Sequence, residues 1–258
     1  MCSKPIATNV RCSSINIISQ DELQIANTDS IGGGVFGNCY LKKFTRLSKN
    51  VVEKQLIDGN IDVLYKEAQY MQMFSHRCIP HLFGIQVEKN PLSLVMEFVG
   101  ENSQSMTVHK LLFDSNAAKI RSSMSLKDWL CVCYDITDAL DYMHQKGYLH
   151  CDLKTDNVLV SKRKGYLIDF GKVREMAHPT AKKYKVLHGH IAPEVLKGSH
   201  VNSASDVYSL GIIFKTIAKE INSKVLSQLG KTATNIDPKQ RPTLLKLLTT
   251  LHSENIHD

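Results

Sequence analysis

Apolar residues in this chain change their spacing partway along, and that change constrains the fold more than any other feature. Up to about residue 100 they form short strand-like runs around one helix. Val51-Val52 and Ser93-Leu94-Val95-Met96-Glu97-Phe98 read as strands, while Leu64, Ala68 and Met71 recur at i, i+4 and i+7. Beyond that point the spacing is mainly helical. Ser125-x-x-Asp128 has the form of a capping box ahead of Trp129, Val132, Cys133, Ile136, Leu140 and Met143 on one 3.6-residue face, with Gly147 as a stop. Ser205 to Glu220 is apolar nearly all round, as a buried helix would be, and Leu244, Leu245, Leu248 and Leu251 mark a closing amphipathic helix. Asn157–Val160 and Tyr166–Ile168 flank Lys164-Gly165 as a hairpin. Residues 101–124 read as a connector with a Val108–Phe113 apolar patch, and residues 1–20 as a loosely ordered arm or lead-in strand. The expectation is an α+β chain: an arm (1–20), then one domain (21–258) of two lobes, β-rich over about 21–99 and mostly helical over about 100–258.

A chain of 258 residues, 43% of them hydrophobic, can bury a core of that size. No charged-then-apolar leader opens it, and no apolar run approaches the roughly 18–20 residues a membrane span needs, so no membrane association is expected. Seven scattered cysteines, with Cys131-x-Cys133 wrongly spaced for a zinc knuckle, suit reduced thiols in the cytoplasm or nucleus. The net charge of +7 could favour acidic partners, but no basic cluster alternates with aromatics, so nucleic acid is not an expected partner.

Chemistry concentrates in a few places. Ile31-Gly32-Gly33-Gly34-Val35-Phe36-Gly37 lies between candidate strands, where glycines would let backbone N–H groups approach phosphates; a tight hairpin is the plain alternative. Seventeen residues on, Lys54 ends an apolar strand and could neutralise phosphate charge. Such a cation needs an anion. Glu67 on the following helix is the candidate, and Glu53 the rival, although alternation turns Glu53 to the opposite face of the strand from Lys54. Further on, His150-Cys151-Asp152-Leu153-Lys154-Thr155-Asp156-Asn157 and Asp169-Phe170-Gly171 place acids, a lysine and a carboxamide at spacings suited to phosphoryl transfer from a metal-bound nucleotide.

In order and spacing these pieces resemble a eukaryotic-type protein kinase from about Ile31 to Leu251. Asp152 to Asn157 is five residues, Asn157 to Asp169 twelve, and Asp169 to Glu194 of Ala192-Pro193-Glu194 twenty-five. The resemblance implies a two-lobed protein kinase fold and transfer from ATP with Mg²⁺ to protein substrates. It implies that Gly32, Gly34 and Gly37 cover the phosphates, with Phe36 at the loop tip, and that Lys54 pairs with Glu67. Backbone groups of Glu97 and Val99 would then meet the adenine edge, Met96 limit the pocket depth, and Cys39, Val52 and Leu159 sandwich the base. Asp152 would accept or orient the acceptor proton, Lys154 neutralise the γ-phosphate, and Asn157 and Asp169 ligate the metal. His150, Asp206 and the Glu194–Arg241 pair would be structural braces.

The departures matter as much. Cys151 stands where the family has an arginine that gathers a phosphate on the activation segment, so activity independent of that phosphate is expected, with Thr180 and Tyr184 the only hydroxyls available there. Val52 replaces an alanine, and Leu187 a threonine that would bond the catalytic Asp and Lys. The Asp206–Arg241 span is also short. Lys154 favours Ser/Thr over Tyr acceptors. Two other readings stand beside the active kinase. One is a pseudokinase scaffold, suggested by Val52 and Leu187. The other is a small-molecule kinase of the aminoglycoside type, which Gly32–Gly37, Ala192-Pro193-Glu194 and the Asp206 helix disfavour.

Overall fold

The computed structural model describes residues 14–34, 37–57, 59–178 and 188–256. Five strands, β1 (Leu23–Gly34), β2 (Gly37–Phe44), β3 (Lys49–Leu56), β4 (Leu82–Gln86) and β5 (Ser93–Glu97), form an antiparallel sheet in the order β1-β2-β3-β5-β4. Helix α1 (Ile61–Met73) crosses between β3 and β4. Its start is fixed by Asn60, whose Oδ1 accepts from the N–H groups of Asp62 and Val63 at 2.9 and 3.2 Å. Leu64, Glu67, Ala68 and Met71 then share its buried face, the stripe expected from their spacing with one acid set into it. β1 and β2 close as a hairpin with Gly34 opposite Gly37. A Cβ at Gly37 would lie 2.3 Å from the Gln55 carbonyl oxygen, so only glycine lets β3 run this close.

The larger lobe follows as β6 (Met106–Thr107), α2 (Val108–Phe113), α3 (Ala118–Ser122), α4 (Leu126–Gln145), β7 (Tyr148–Leu149), β8 (Val158–Ser161), β9 (Lys164–Leu167), β10 (Arg174–Glu175), α5 (Pro193–Leu196), α6 (Ser203–Ile221), α7 (Lys224–Ala233) and α8 (Leu244–Ile256). The capping box before α4 is present: the Asp128 N–H donates to Ser125 Oγ at 3.2 Å and the Ser125 N–H to Asp128 Oδ2 at 2.8 Å. Trp129, Val132, Cys133, Ile136, Leu140 and Met143 are all buried, with α8 packed on the same helix. α6 begins at the Asn202 cap and ends at Asn222, whose left-handed φ of 56° breaks the ladder. α6 and α7 approach through two glycines: a Cβ at Gly211 would come within 2.7 Å of Ala233 Cβ, and one at Gly230 within 3.0 Å of the Gly211 oxygen. β8 pairs with β6 on one side and β9 on the other, and β7 pairs with β10, forming two small sheets.

Several expectations need correcting. The β8–β9 turn falls at Lys162 and Arg163, both with positive φ (49° and 63°), and not at Lys164-Gly165. Gly165 lies within β9 because a Cβ there would sit 2.7 Å from the Val132 carbonyl oxygen. In α8 it is Leu247, not Leu245, that joins Leu244, Leu248 and Leu251 inside; Leu245 is 69% exposed. The 101–124 connector contains two short helices, because Val108, Leu111 and Leu112 find a buried site together. Of the two readings of the first 20 residues, residues 14–19 follow the lead-in strand, with one parallel bridge from Ile17 to Ile85. Ile18 donates to the Ile85 oxygen (2.8 Å), Ile85 to the Asn16 oxygen (2.9 Å), and the Ile18 side chain is fully buried among Phe44, Val51 and Val95. Among the described residues no helix is long and apolar enough to cross a membrane.

Candidate active site

β3, α1 and the segment after β9 meet at one cation. Lys54 Nζ lies 2.8 Å from Glu67 Oε1 and 2.9 Å from Asp169 Oδ1, and strand alternation sends Glu53 to the other face, where it meets Lys42 and Ser93. Burial alone would pull the Lys54 ammonium down, yet Glu67 and Asp169 hold it well above the ordinary lysine range, so it stays charged. Asp169 reaches this position through a backbone with φ of 68°, followed by Gly171, whose hydrogens face Glu67 where a Cβ would lie 3.5 Å from Oε2.

The loop between β7 and β8 is anchored from below. Asp206 at the start of α6 is fully buried and accepts from His144 Nε2 (2.9 Å), the His150 N–H (2.8 Å) and the Cys151 N–H (2.9 Å). Burial pushes its carboxyl up, but these donors, His144 first, hold it below the usual carboxylate range. Cys151 takes φ of 64° to present its amide to Asp206. His150 is buried, with Nε2 3.2 Å from the Ile168 oxygen and its ring 5.6 Å from Phe170, which in turn packs 5.7 Å from Phe74 at the end of α1. Among the described residues its Nδ1 has no partner.

Above this anchor sits Asp152, also buried. Asn157 Nδ2 donates to its Oδ2 (3.1 Å) and to its backbone oxygen (2.9 Å), and Lys154 Nζ stands 3.6 Å from Oδ2. Two further groups reach Oδ1: Lys172 Nζ at 2.7 Å and His190 Nε2 at 3.5 Å. Burial would raise the Asp152 pKa, but His190 and Lys172 hold the carboxyl well below its usual range. Because the Asn157 nitrogen is committed to Asp152, its carboxamide oxygen is turned away from that acid. Among the described residues, Asp169 Oδ2 takes no hydrogen bond. Two hard oxygens thus remain for a divalent cation of the Mg²⁺ type, and the residues fit such an ion.

The apolar part of the cleft is assembled by strand register. Cys39 lies opposite Lys54, and Val52 opposite Met96. Val52, Met96, Val99 and Leu159 are buried, while Glu97 is exposed, its N–H given to the His81 oxygen at 2.8 Å. The Val99 carbonyl accepts from Ser105 Oγ (2.7 Å), and Lys110 Nζ reaches across to the Ile31 oxygen (3.3 Å). Gly32, Gly33 and Gly34 end β1 above this space. Val35 and Phe36 lie outside the described residues, as do Thr180, Tyr184 and Leu187. At the far end of the lobe Glu194 and Arg241 form a bidentate pair (2.7 and 2.8 Å). Spacing gave no hint of Lys172 or His190: one is a lysine among 32 basic residues, the other a histidine among 11. Only the fold brings them to Asp152.

A five-stranded sheet over a helical lobe, with a Lys54–Glu67–Asp169 cluster beside an Asp–Lys–Asn loop, is the architecture of the protein kinase class. The chain belongs to that family: the protein kinase domain model matches residues 25–252. It is similar to the human tyrosine-protein kinase TXK (30% identity, 78% of this chain and 37% of TXK). It is also similar to a probable serine/threonine-protein kinase of Dictyostelium discoideum (28%, covering 93% and 43%) and to cyclin-dependent kinase F-4 of Oryza sativa subsp. japonica (35%, covering 57% and 30%). The chain spans less than half the length of each of these relatives.

Proposed function

We propose that this chain is an active kinase that moves the γ-phosphoryl group of MgATP to Ser or Thr hydroxyls of protein substrates, without needing phosphate on its activation segment. The observation that carries the reading is the unbroken polar chain Glu67–Lys54–Asp169, with the bonded pair Asp152–Asn157 tied in beside it through the Ile168 N–H to the Asn157 backbone oxygen (3.1 Å). A chain that had lost transfer would have no need to keep five polar residues in register, three of them buried charges that are costly unless paired.

The roles follow from chemistry. Glu67 holds Lys54, which binds the α- and β-phosphates. Ile31 to Gly37 cover them with backbone N–H groups, Val35 and Phe36 included. Cys39, Val52 and Leu159 enclose the base, Met96 sets the depth of its pocket, and backbone groups of Glu97 and Val99 pair with its edge. Asn157 and Asp169 would hold Mg²⁺, which when bound neutralises phosphate charge. Asp152 orients the acceptor hydroxyl and receives its proton, while Lys154 balances charge on the transferring group. Lys154 supports a Ser/Thr acceptor, as does the serine/threonine kinase among the relatives, although TXK is a tyrosine kinase. The net charge of +7 favours acidic substrates, and unbridged Cys39, Cys78 and Cys133 suit the cytoplasm. Cys151 cannot gather a phosphate as a guanidinium does, which supports independence from activation-segment phosphorylation.

The test is incubation with radiolabelled MgATP and a generic acidic protein, with a basic one in parallel, beside Asp152→Asn. Incorporation at least 100-fold above the variant is expected, on the scale of lost acid–base catalysis, with phosphoserine or phosphothreonine on hydrolysis. Equal incorporation in the two proteins would remove the catalytic reading, and thermal stabilisation by ATP without transfer would leave a nucleotide-binding scaffold.

A further inference from the structure

The catalytic loop supplies partners for only one oxygen of Asp152. Asn157 bonds Oδ2 and Lys154 stands nearest to it, so nothing within residues 150–157 fixes Oδ1. An aspartate held at one oxygen can still turn its carboxylate plane about χ2, a broad torsion with no sharp rotamer. The donors on Oδ1 come from two segments outside the loop, and each stands on an independently fixed stem. Lys172 follows Gly171. The Val173 N–H bonds the Phe170 oxygen (3.1 Å), and β10 pairs with β7, Arg174 opposite Leu149, immediately before the loop begins. The backbone that carries Lys172 is therefore tied to the backbone that carries Asp152. His190 is fixed from α6: Ser209 Oγ donates to its carbonyl at 2.6 Å, and the Ile191 N–H closes a turn onto the His188 oxygen at 3.0 Å. The same helix supplies Asp206 to the base of the loop.

We propose that Lys172, seconded by His190, is a positioning residue for phosphoryl transfer: its ammonium holds Oδ1 of Asp152 so that the carboxylate meets the acceptor hydroxyl in a single orientation. At 2.7 Å the Lys172 contact is a charge-assisted hydrogen bond, the tightest that Asp152 makes. A slack carboxylate loses rate steeply, because near-attack geometry tolerates little displacement. The proposal rests on the reading of the chain as an active kinase, and its test separates the two.

Steady-state kinetics of Lys172→Met, Lys172→Arg and His190→Asn would be measured beside wild type and Asp152→Asn. Lys172→Met is expected to lower kcat on the order of 10- to 100-fold while leaving KM for ATP unchanged, since Lys54, Asn157 and Asp169 are untouched. Lys172→Arg restores most of kcat, and His190→Asn shows a smaller loss. In parallel, the side-chain amide resonances of ¹⁵N-labelled Asn157, assigned by their loss in Asn157→Asp, report on the carboxylate without any turnover. They should shift in Lys172→Met and return in Lys172→Arg. Should Lys172→Met melt early, Lys172→Arg and His190→Asn, which keep the packing, decide by the same two readouts.

A Lys172→Met enzyme as fast as wild type, or faster because the ammonium obstructs the acceptor, overturns the proposal while leaving the kinase reading intact. A wild type no better than Asp152→Asn, with amide resonances that still move in Lys172→Met and recover in Lys172→Arg, removes the kinase reading and supports the positioning contact. Resonances that do not move overturn the proposal in either case.

Discussion

At the scale of single residues, the Lys54–Glu67 pair in the small lobe was readable and the two basic side chains nearest Asp152 were not. Lys54 and Glu67 announce themselves because one ends an apolar strand and the other interrupts the apolar face of a helix. Lys172 and His190 carry no such local signal, since they reach Asp152 across 20 and 38 residues of chain. Removing the cation by Lys54→Met leaves Glu67 and Asp169 facing an apolar stem. Stability should fall by about 3 kcal/mol, and thermal stabilisation by ATP should vanish; a melting curve with and without nucleotide checks both. Cys39 supplies a chemical test of how closed the roof of the cleft is. Burial pushes its thiol up to about 11, so it stays protonated and slow at neutral pH. Iodoacetamide labelling followed by mass spectrometry should find Cys39 unmodified at pH 7.5, with the rate rising only as pH approaches 11.

At the scale of elements, periodicity located the long helices and failed where a contact depends on distant backbone. The arm is the clearest case. Residues 14–19 show no period, yet they bond the exposed edge of β4, and Gly84 makes room for them: a Cβ there would lie 2.3 Å from the Asn16 oxygen. Gly84→Ala should therefore cost about 1–3 kcal/mol, as should removal of residues 1–19. The two changes together should cost no more than the larger alone, the mark of a shared contact. Urea midpoints of the four proteins settle it. The β8–β9 turn offers the opposite sign. Lys162 and Arg163 both sit in the left-handed region, which side chains enter at a cost of about 1 kcal/mol each. Replacing them by Asn-Gly keeps the bond from the residue 162 N–H to Glu101 Oε1 and should raise stability by about 1 kcal/mol. It loses only the 3.6 Å Arg163–Asp128 pair, which is exposed on the arginine side.

Across the whole molecule, two carboxylates, one buried and one half-buried, tie distant segments together, and both titrate in the same direction. Asp206 joins α4, the catalytic loop and α6, while Glu194 joins α5 to Arg241 beyond α7. Burial pushes each up, but the donors around them leave both below their ordinary values. A group depressed on folding contributes stability that is complete above its unfolded value, about 3.9 for Asp and 4.3 for Glu, and lost as pH falls through the folded value. Stability should accordingly be flat in this respect from pH 7 to about 5 and fall below about 4. Chemical denaturation of wild type and Glu194→Gln should show the gap between them shrinking through that range. The two-lobed α+β plan was legible because period and composition change at the lobe boundary. The aromatic column of Phe74, Phe170 and His150 was not, since it joins residues with no shared pattern.

Asp206 grips the amide of Cys151, not its side chain. The loop's shape is thus set in part by main-chain hydrogen bonds to Asp206, which an exchange of the side chain at 151 leaves in place. Signal reception and chemistry are in this sense modular. On the reading of the chain as an active kinase, installing an arginine at that one position should give a protein that still folds, yet whose rate has become answerable to an upstream enzyme.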